Sequence, residues 1–391
     1  MPRPRPARLQ HIAGIGVDRM GSLADTSGRA LLRLENLDTD IPPDRAAVER
    51  TREAAGEDAA NSYLPFVGQD RLRAVVARHV SGLSGVAYTA RNVVIAAGGL
   101  SGILNALLAT IEIGDEVVLT DPTYVGLLNR VRLAGGVPRL AAFRFSAGGE
   151  WRLDRDALTA AVGARTRAML LMSPSMPSGG VLDAADWALV AGLCTRHDLL
   201  LILDSAMERL LFDGRRVIHP AGLPGMAERT IVVGAASKEL RMIGWRVGWT
   251  VAPETFMPDL VAVSLANVVV PVGIAEDAAA AALERSPATL PAYVAELQRR
   301  RDTMLEELRD LPVGVPAGGW SLLLRVSDFG LDGARMSERL LEEDVCATAT
   351  AGWGERHGAD YIRLVFANEP VERLRGLGKR VRAALGARQP T

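Results

Sequence analysis

Apolar runs and amphipathic stretches alternate along the chain from about residue 70 to residue 252. Apolar side chains recur at intervals of three and four, which predicts helices, in segments 71–82, 101–111, 127–135 and 186–198. Short apolar runs that end in glycine, proline or polar residues predict strands at 92–97, 116–122, 167–175, 199–204, 230–238 and 245–252. This alternation predicts an α/β domain whose mostly parallel sheet is covered by helices on both faces.

The pattern changes after about residue 285. A long helical pattern covers 290–311, strand-like segments follow at 318–329 and 361–367, and a closing helix begins near residue 370. These features predict a smaller α+β domain. We expect three parts, namely an N-terminal arm with part of the small domain (1–45), a large ligand-binding domain (46–285) and a C-terminal small domain (286–391).

Composition and charge narrow the classes of partner. The 391 residues carry a net charge of −1, so we expect neither nucleic acid nor a membrane surface as the main partner. No run approaches the roughly 18 apolar residues of a membrane span. Cys194 and Cys346 offer neither a disulfide framework nor a metal-binding spacing, so a cytoplasmic location is expected. The basic, proline-rich residues 1–10 are interpreted as an arm that is disordered or lies against a partner.

Polar and glycine-rich residues cluster where the predicted strands end. The clusters are Gly98 to Gly102, Asp121 to Tyr124, Ser173 to Gly179, Asp204 and Lys238. Ligands of open α/β sheets bind at the carboxyl ends of the strands. The sequence therefore predicts one site at that edge of the sheet.

Lys238 ends an apolar strand, and its spacing alone favours an ordinary surface lysine. The alternative is a lysine of lowered pKa that forms an imine with an aldehyde. Arg246, eight residues later, is either structural or a phosphate ligand. Asp204 ends the run LLLILD and is either a turn former or the counter-ion of a protonated ring nitrogen.

Each of the further candidates has both an ordinary structural interpretation and a functional one. The Gly98–Gly102 loop is a common strand-to-helix turn, or a turn whose amides approach a phosphate. Tyr124 is a core residue or stacks on a flat cofactor. Tyr63 packs in a loop or has a role in a site. Arg363 interrupts an apolar strand and points outward, or binds a carboxylate bidentately from within a cleft.

Taken together, these residues resemble the class I/II aminotransferases of fold type I, which depend on pyridoxal 5'-phosphate (PLP). The segment ASKELRMIGWRVGW (236–249) is the most specific match, and the resemblance runs from about Leu34 to the C-terminal helix. It implies that Lys238 is the Schiff-base lysine and the base that moves the substrate's α-proton. The large domain is then the PLP-binding domain.

The resemblance also implies roles for the other candidates. Arg246 and the amides of Gly99 and Leu100 bind the phosphate, Asp204 pairs with the pyridine nitrogen, and Tyr124 stacks on the ring. The cofactor-binding set is completed by Ser237, Met176, Met207 and Tyr63. Tyr63 reaches the phosphate of the neighbouring subunit, which implies a homodimer. Arg363 holds the substrate α-carboxylate.

Departures from the family pattern fall next to the cofactor. Met176 and Met207 stand where an asparagine and a tyrosine normally donate hydrogen bonds to the phenolic oxygen of PLP. Without those donors the imine is expected to keep its proton to higher pH, unless Ser175, Ser205 or water replaces them. Leu37 replaces a glycine that lies close to the substrate.

The resulting prediction is a PLP-dependent aminotransferase that acts on an α-amino acid. The alternative is a specialised biosynthetic enzyme that catalyses β- or γ-elimination, replacement or cyclisation, for example on S-adenosylmethionine. A third class, a non-catalytic regulatory protein with this fold, is disfavoured. It normally carries a DNA-binding region, and residues 1–10 are too short for one.

Overall fold

Helices and strands alternate along most of the chain in the computed structural model, which describes residues 5–6, 9–12 and 14–386. Most of the predicted arm at 1–10 lies outside the described residues. The helices are α1 Val17–Thr26, α2 Arg45–Ala54, α3 Asp70–Ser84, α4 Gly99–Thr110, α5 Val125–Leu133, α6 Arg155–Ala161, α7 Ala184–His197, α8 Met257–Asn267, α9 Gly273–Glu307, α10 Gly333–Glu342, α11 Val371–Leu374 and α12 Leu377–Leu385. The strands are β1 Leu32–Arg33, β2 Val93–Ala96, β3 Glu116–Asp121, β4 Val137–Arg144, β5 Arg152–Leu153, β6 Thr166–Met172, β7 Leu200–Asp204, β8 Thr230–Ala235, β9 Gly248–Val251, β10 Ser321–Arg325, β11 Val345–Cys346, β12 Thr348–Ala349 and β13 Tyr361–Val365.

The largest sheet contains eight strands within the described ranges, in the order β2-β9-β8-β7-β6-β3-β4-β5. Strands β4, β3, β6, β7 and β8 are parallel to their neighbours in this series. β9 runs antiparallel to both β8 and β2, so β2 points the same way as β8. The carboxyl ends of β2, β3, β6, β7 and β8 therefore meet at one edge, and the predicted α/β class with a mostly parallel sheet is confirmed.

Apolar side chains cover both faces of this sheet, as expected of parallel strands. One cluster contains Val118, Met169 and Leu201, and the other contains Val117, Leu170 and Ile202. The pairs alternate along β3, β6 and β7, so successive side chains enter opposite cores. Burial on both faces holds the strand ends in fixed positions.

The rest of the chain forms a smaller α+β unit. β10, β13 and β12 pair antiparallel, and β1 pairs parallel with β11. The segment after β1 is thereby attached to the small unit although it precedes the large sheet in sequence. Helix α9 contacts α2 and α3 on one side and α11 and α12 on the other. The boundary expected near residue 285 falls inside α9.

Over the ranges that the structure describes, none of the helices combines the length and apolar character needed to cross a bilayer.

Candidate functional site

Lys238 lies in the turn that follows β8, at the edge where the parallel strands end. Its Nζ donates a hydrogen bond to the carbonyl oxygen of Leu37 at 3.1 Å. The same nitrogen lies 4.1 Å from the centroid of the Trp320 ring. The amine is thus enclosed between the N-terminal segment, the start of β10 and the large sheet.

The electrostatic environment lowers the pKa of Lys238 to about 7. Burial is the main cause, because it disfavours the charged ammonium, and the positive charge of Arg363 acts in the same direction. Asp38 and Asp204 oppose the shift. At neutral pH a large fraction of this amine is unprotonated and able to attack a carbonyl carbon.

Asp204 ends β7 and is buried beside Lys238. Burial raises its pKa to about 6, while a hydrogen bond from the Ala206 N–H to Oδ1 and the charge of Lys238 act against the rise. That N–H lies 3.1 Å from the carboxylate. Asp204 forms no ion pair with another described residue, so its carboxylate suits a protonated ring nitrogen as counter-ion.

Because it contains glycines, the turn between β2 and α4 lets neighbouring groups approach its backbone closely. Gly98 has a φ of 90°, and a Cβ on it would come within 2.4 Å of Nη2 of Arg246. A Cβ on Gly248 would come within 2.6 Å of the Gly99 nitrogen. The Arg246 guanidinium, which donates to the Ile243 carbonyl at 2.8 Å, therefore lies over the amino end of α4, where backbone N–H groups favour an anion.

Two further predicted phosphate-side residues flank this turn. Leu100 is half-buried in the first turn of α4, and Ser237 is half-buried next to Lys238. The Gly99 position is packed closely against the sheet, since a Cβ there would meet that of Ala235 at 3.2 Å. Helix α4, the Lys238 turn and Arg246 consequently surround one small volume, where the Arg246 charge and the amino end of α4 both favour an anion.

Tyr124 precedes α5 at the end of β3. Its ring lies 5.3 Å from that of Trp353 in an edge-to-face arrangement with an interplanar angle of 67°. Burial raises the pKa of its hydroxyl, and the charges of Arg363 and Asp204 both act on it. Tyr124 therefore belongs to the same charged environment as Asp204 and Arg363.

A loop of the small unit is fastened to the end of β3. Thr123 donates its N–H to the Trp353 carbonyl at 2.8 Å. The buried Asp121 carboxylate accepts backbone hydrogen bonds over 2.7–3.3 Å from Glu355, Arg356 and His357. This latch holds the Trp353 ring at the site.

Met176 and Met207 are both buried, at 6% and 1% exposure. They belong to the apolar cluster that also contains Trp320, and Tyr124 packs against it. Ser205, considered as a replacement donor, donates its hydroxyl to the Val233 carbonyl at 3.3 Å instead. The wall at this point is apolar and contains polarizable thioethers.

Arg363 is completely buried on β13. Its Nη2 donates to the Glu35 carbonyl, whereas Nε and Nη1 have no hydrogen-bond partner in the part of the chain that the structure describes. Its guanidinium lies 4.8 Å from the Trp353 ring centroid. Burial lowers its pKa to about 10, opposed by Tyr124 and Glu35. Unpaired N–H donors on a buried cation have the charge and geometry that suit a carboxylate.

Tyr63 is not brought to the site within one chain. Its side chain is 85% exposed. The structure thus assembles the other predicted residues around Lys238 and leaves Tyr63 on the surface.

Sequence reasoning missed two neighbours of Lys238. Trp320 follows a Gly-Gly pair at the start of β10, and that pair signals close backbone approach. Asp38 follows Leu37 in the segment LENLDTDIPP, which departs from the glycine-rich pattern. No local periodicity marks Asp38, because its place at the site depends on the pairing of β1 with β11.

The donor set fits PLP. The buried Asp204 carboxylate suits the ring nitrogen, and the partly neutral Lys238 amine suits the aldehyde. The exposed Arg246 over the amino end of α4 suits the phosphate. Arg363 stands apart from these three and matches the carboxylate of an amino acid.

Comparison with known proteins agrees with this chemistry. The family described as aminotransferase class I and II matches residues 34–381. The chain is 33% identical over 382 residues to arginine–pyruvate transaminase of Pseudomonas aeruginosa, covering 93% of this chain and 94% of that protein. It is 31% identical over 334 residues to aromatic-amino-acid aminotransferase 2 of Thermococcus litoralis, covering 83% and 85%.

Solved structures are similar over nearly the whole chain. N-succinyldiaminopimelate aminotransferase from Mycobacterium tuberculosis has a TM-score of 0.90 at 27% identity, covering 97% of this chain and 100% of that one. Aspartate aminotransferase from Thermus thermophilus with maleate has a TM-score of 0.88 at 26% identity, covering 98% and 100%. These relatives favour transamination over the elimination, replacement and cyclisation alternative. The chain therefore belongs to the class I and II aminotransferases, transferases of fold type I whose cofactor is PLP.

Proposed function

We propose that Lys238 holds PLP and that the surrounding residues serve transfer of an amino group from an α-amino acid to an α-keto acid. One observation carries this proposal. The Lys238 amine, with its pKa lowered to about 7, is acted on by the charges of Asp204 and Arg363. Asp204 is a buried carboxylate, and Arg363 is a buried arginine whose Nε and Nη1 have no hydrogen-bond partner among the described residues.

The proposed cofactor contacts follow from the charges of the site. Asp204 holds the proton of the pyridine nitrogen. Arg246 and the amides of Gly99 and Leu100 bind the phosphate, with Ser237 beside them. The remaining contacts are stacking by Tyr124 and the apolar wall of Met176 and Met207.

Bound PLP supplies an electron sink that makes the α-proton of an amino acid acidic. Lys238 would accept that proton and donate it again, because a group whose pKa is near 7 can do both at neutral pH. Arg363 binds the α-carboxylate and so fixes the α-carbon next to the amine. Leu37 and Trp320 cover the amine and exclude water from it.

We further propose a homodimer in which Tyr63 reaches the phosphate of the neighbouring site. Its 85% exposure leaves the side chain available to a partner subunit. We also propose a cytoplasmic location, and the division into an arm with part of the small domain (1–45), a PLP-binding domain (46–285) and a small domain (286–391).

The amino-acid side chain is not fixed by family membership. The relatives are named for arginine, aromatic amino acids and aspartate. The substrate must therefore be read from residues around Lys238 and Arg363.

The decisive experiment is absorbance of the purified protein with and without an amino acid. We expect a visible band that Lys238→Ala lacks, and conversion of the cofactor to pyridoxamine phosphate on mixing with amino acids. A protein that takes up no PLP, or bound PLP that no amino donor converts, would refute the proposal.

A further inference from the structure

We infer that Asp38 selects an α-amino acid whose side chain ends in a positive charge, such as a guanidinium or an ammonium group. The inference rests on the proposed function of the Lys238 site. It assigns Asp38 as a specificity-determining residue that contacts the distal end of the substrate.

Asp38 is held near the Lys238 amine by its neighbour in the sequence. Leu37 accepts the hydrogen bond of the Lys238 amine at 3.1 Å, and Asp38 is the next residue. The Asp38 side chain is half-buried. Its Oδ1 accepts the N–H of Thr39 at 2.7 Å, which fixes the carboxylate in a local turn.

The Asp38 carboxylate acts on the reacting amine through its charge. Among the negative groups that act on Lys238, Asp38 has a larger effect than Asp204. Asp204 lies at the end of β7, under the proposed position of the cofactor ring. Asp38 belongs instead to the N-terminal segment whose Leu37 carbonyl accepts the hydrogen bond of the amine.

Within the described chain Asp38 has no arginine or histidine partner, unlike the acidic residue two positions later. Asp40 is neutralised by Arg300, whose Nη1 and Nη2 lie 2.6 and 3.3 Å from its carboxylate oxygens. The two aspartates share one segment, yet only Asp40 is part of a structural ion pair.

The other charges at the site have partners in the cofactor or in any α-amino acid. Arg246 meets the phosphate, Asp204 the ring nitrogen and Arg363 the α-carboxylate. Asp38 is left without a counterpart in those common groups. A cationic side chain supplies one, because a carboxylate pairs with a guanidinium or ammonium through charge-assisted hydrogen bonds.

The segment is rigid enough to discriminate between substrates. Leu34 donates its N–H to Cys346 and accepts one from Val365, both at 2.9 Å. Arg241 donates from Nε to the Pro42 carbonyl at 2.8 Å. Asp38 is therefore fastened on both sides. Trp320 offers an aromatic face beside the amine, against which the aliphatic stem of a long cationic side chain packs.

The test measures kcat/KM of cofactor conversion in the holoenzyme with L-arginine and L-citrulline, which differ in side-chain charge at nearly equal shape. L-lysine and L-norleucine form a second pair. We expect each cationic member to be preferred by at least about 10-fold. Asp38→Asn is expected to reduce that preference to about unity by slowing the cationic member alone, and Asp38→Glu to restore part of it.

Asp18→Asn is the matched control, since it removes one negative charge from exposed helix α1 and should leave both ratios unchanged. Equal rates for arginine and citrulline in the wild type would overturn the inference while transamination itself stands. The inference would also be overturned if Asp38→Asn lowered kcat/KM equally for arginine and citrulline. If no amino acid converts the cofactor, the proposed function fails instead. If Asp38→Asn does not fold, the kcat/KM ratios of the wild-type enzyme decide the question. A preference caused by a charge pair between Asp38 and the substrate must also decrease with rising salt concentration, because salt screens the pair.

Discussion

The amine of Lys238 donates its hydrogen bond to the backbone of Leu37, at 3.1 Å and across 201 positions of sequence. The contact joins the turn after β8 to a segment that is tied to the small unit through β1. Movement of the N-terminal segment therefore changes the environment of the amine directly. Capture of the cofactor requires Lys238 to exchange this hydrogen bond for a covalent one.

We first predict the pH dependence of that capture. Lys238 has its pKa lowered to about 7, so the amine is protonated and unreactive below pH 7 and neutral above it. PLP uptake by the cofactor-free protein should accelerate about tenfold per pH unit below 7 and level off above about pH 8. Stopped-flow absorbance after adding PLP measures this rate.

Removal of the Arg363 charge provides the internal check. That charge is the second cause of the low pKa, so Arg363→Gln should move the midpoint to higher pH. A capture rate that climbs steadily to pH 10 in the wild type would mean that Lys238 keeps the pKa of an ordinary lysine.

Arg363→Gln should also weaken binding of every α-amino acid. The change removes a buried cation whose Nε and Nη1 have no partner within the described chain. We expect kcat/KM to fall about 100- to 1000-fold, or about 3–4 kcal/mol, with the cofactor absorbance intact. Arg325→Gln is the matched control on the adjacent strand, because Arg325 pairs with the partly exposed Asp328. Unchanged kinetics of Arg363→Gln would remove this residue from the substrate site.

Restoring hydrogen-bond donors beside the cofactor should lower the pKa of the imine that Lys238 forms with it. Met176→Asn and Met207→Tyr introduce the groups that other family members have there. Donors to the phenolic oxygen stabilise the unprotonated form of the lysine-bound cofactor. The midpoint of the absorbance titration should therefore fall by about one pH unit per donor.

Met172→Leu is the control for this pair, since Met172 belongs to the same apolar cluster and offers no donor in either form. If both donor variants have the same titration midpoint as the wild type, neither methionine faces the phenolic oxygen.

Much of the large sheet was readable from sequence because its strands are apolar on both faces and end in polar residues. Residues 199–204 and 230–238 were predicted as strands, and β7 and β8 lie within them. β4 was missed because Pro138 and its exposed alternate residues obscure the pattern. The strand predicted at 245–252 begins only at Gly248, because Arg246 takes a left-handed turn conformation with a φ of 56°.

The site was predictable where one residue carries its chemistry at a strand end, as with Asp204. It was not predictable where distant segments meet. Trp353 reaches Arg363 through a loop held by Asp121, and Asp38 reaches Lys238 through the pairing of β1 with β11. Such contacts depend on tertiary packing, which local spacing does not encode.

The Asp121 latch should contribute to both stability and substrate binding. Asp121→Ala removes the acceptor for three backbone N–H groups, so we expect a loss of about 2–4 kcal/mol in the free energy of unfolding. KM for the amino acid should rise, because the loop carries the Trp353 ring that lies against Arg363. Urea unfolding and steady-state kinetics measure the two effects. Asp121→Asn keeps one acceptor oxygen and should lose less; equal stability of all three proteins would mean that the latch is unimportant.

The proposed exchange of Tyr63 between subunits can be tested by mixing inactive variants. Lys238→Ala lacks the reacting amine, and Tyr63→Ala lacks the residue offered to the neighbouring site. A mixed dimer then holds one site with both residues and one with neither. After unfolding and refolding an equimolar mixture, about one quarter of wild-type activity should return, since about half of the dimers are mixed.

The amount of recovered activity shows whether Tyr63 serves the site of the partner subunit or the site of its own chain. If Tyr63 served the site of its own chain, every site in the mixed dimer would lack one of the two residues, and activity would stay at the level of the parents. Tyr63→Phe refines the result, because it keeps the ring and removes only the hydroxyl. A loss of PLP affinity in Tyr63→Phe as large as that in Tyr63→Ala would assign the effect to a hydrogen bond with the phosphate.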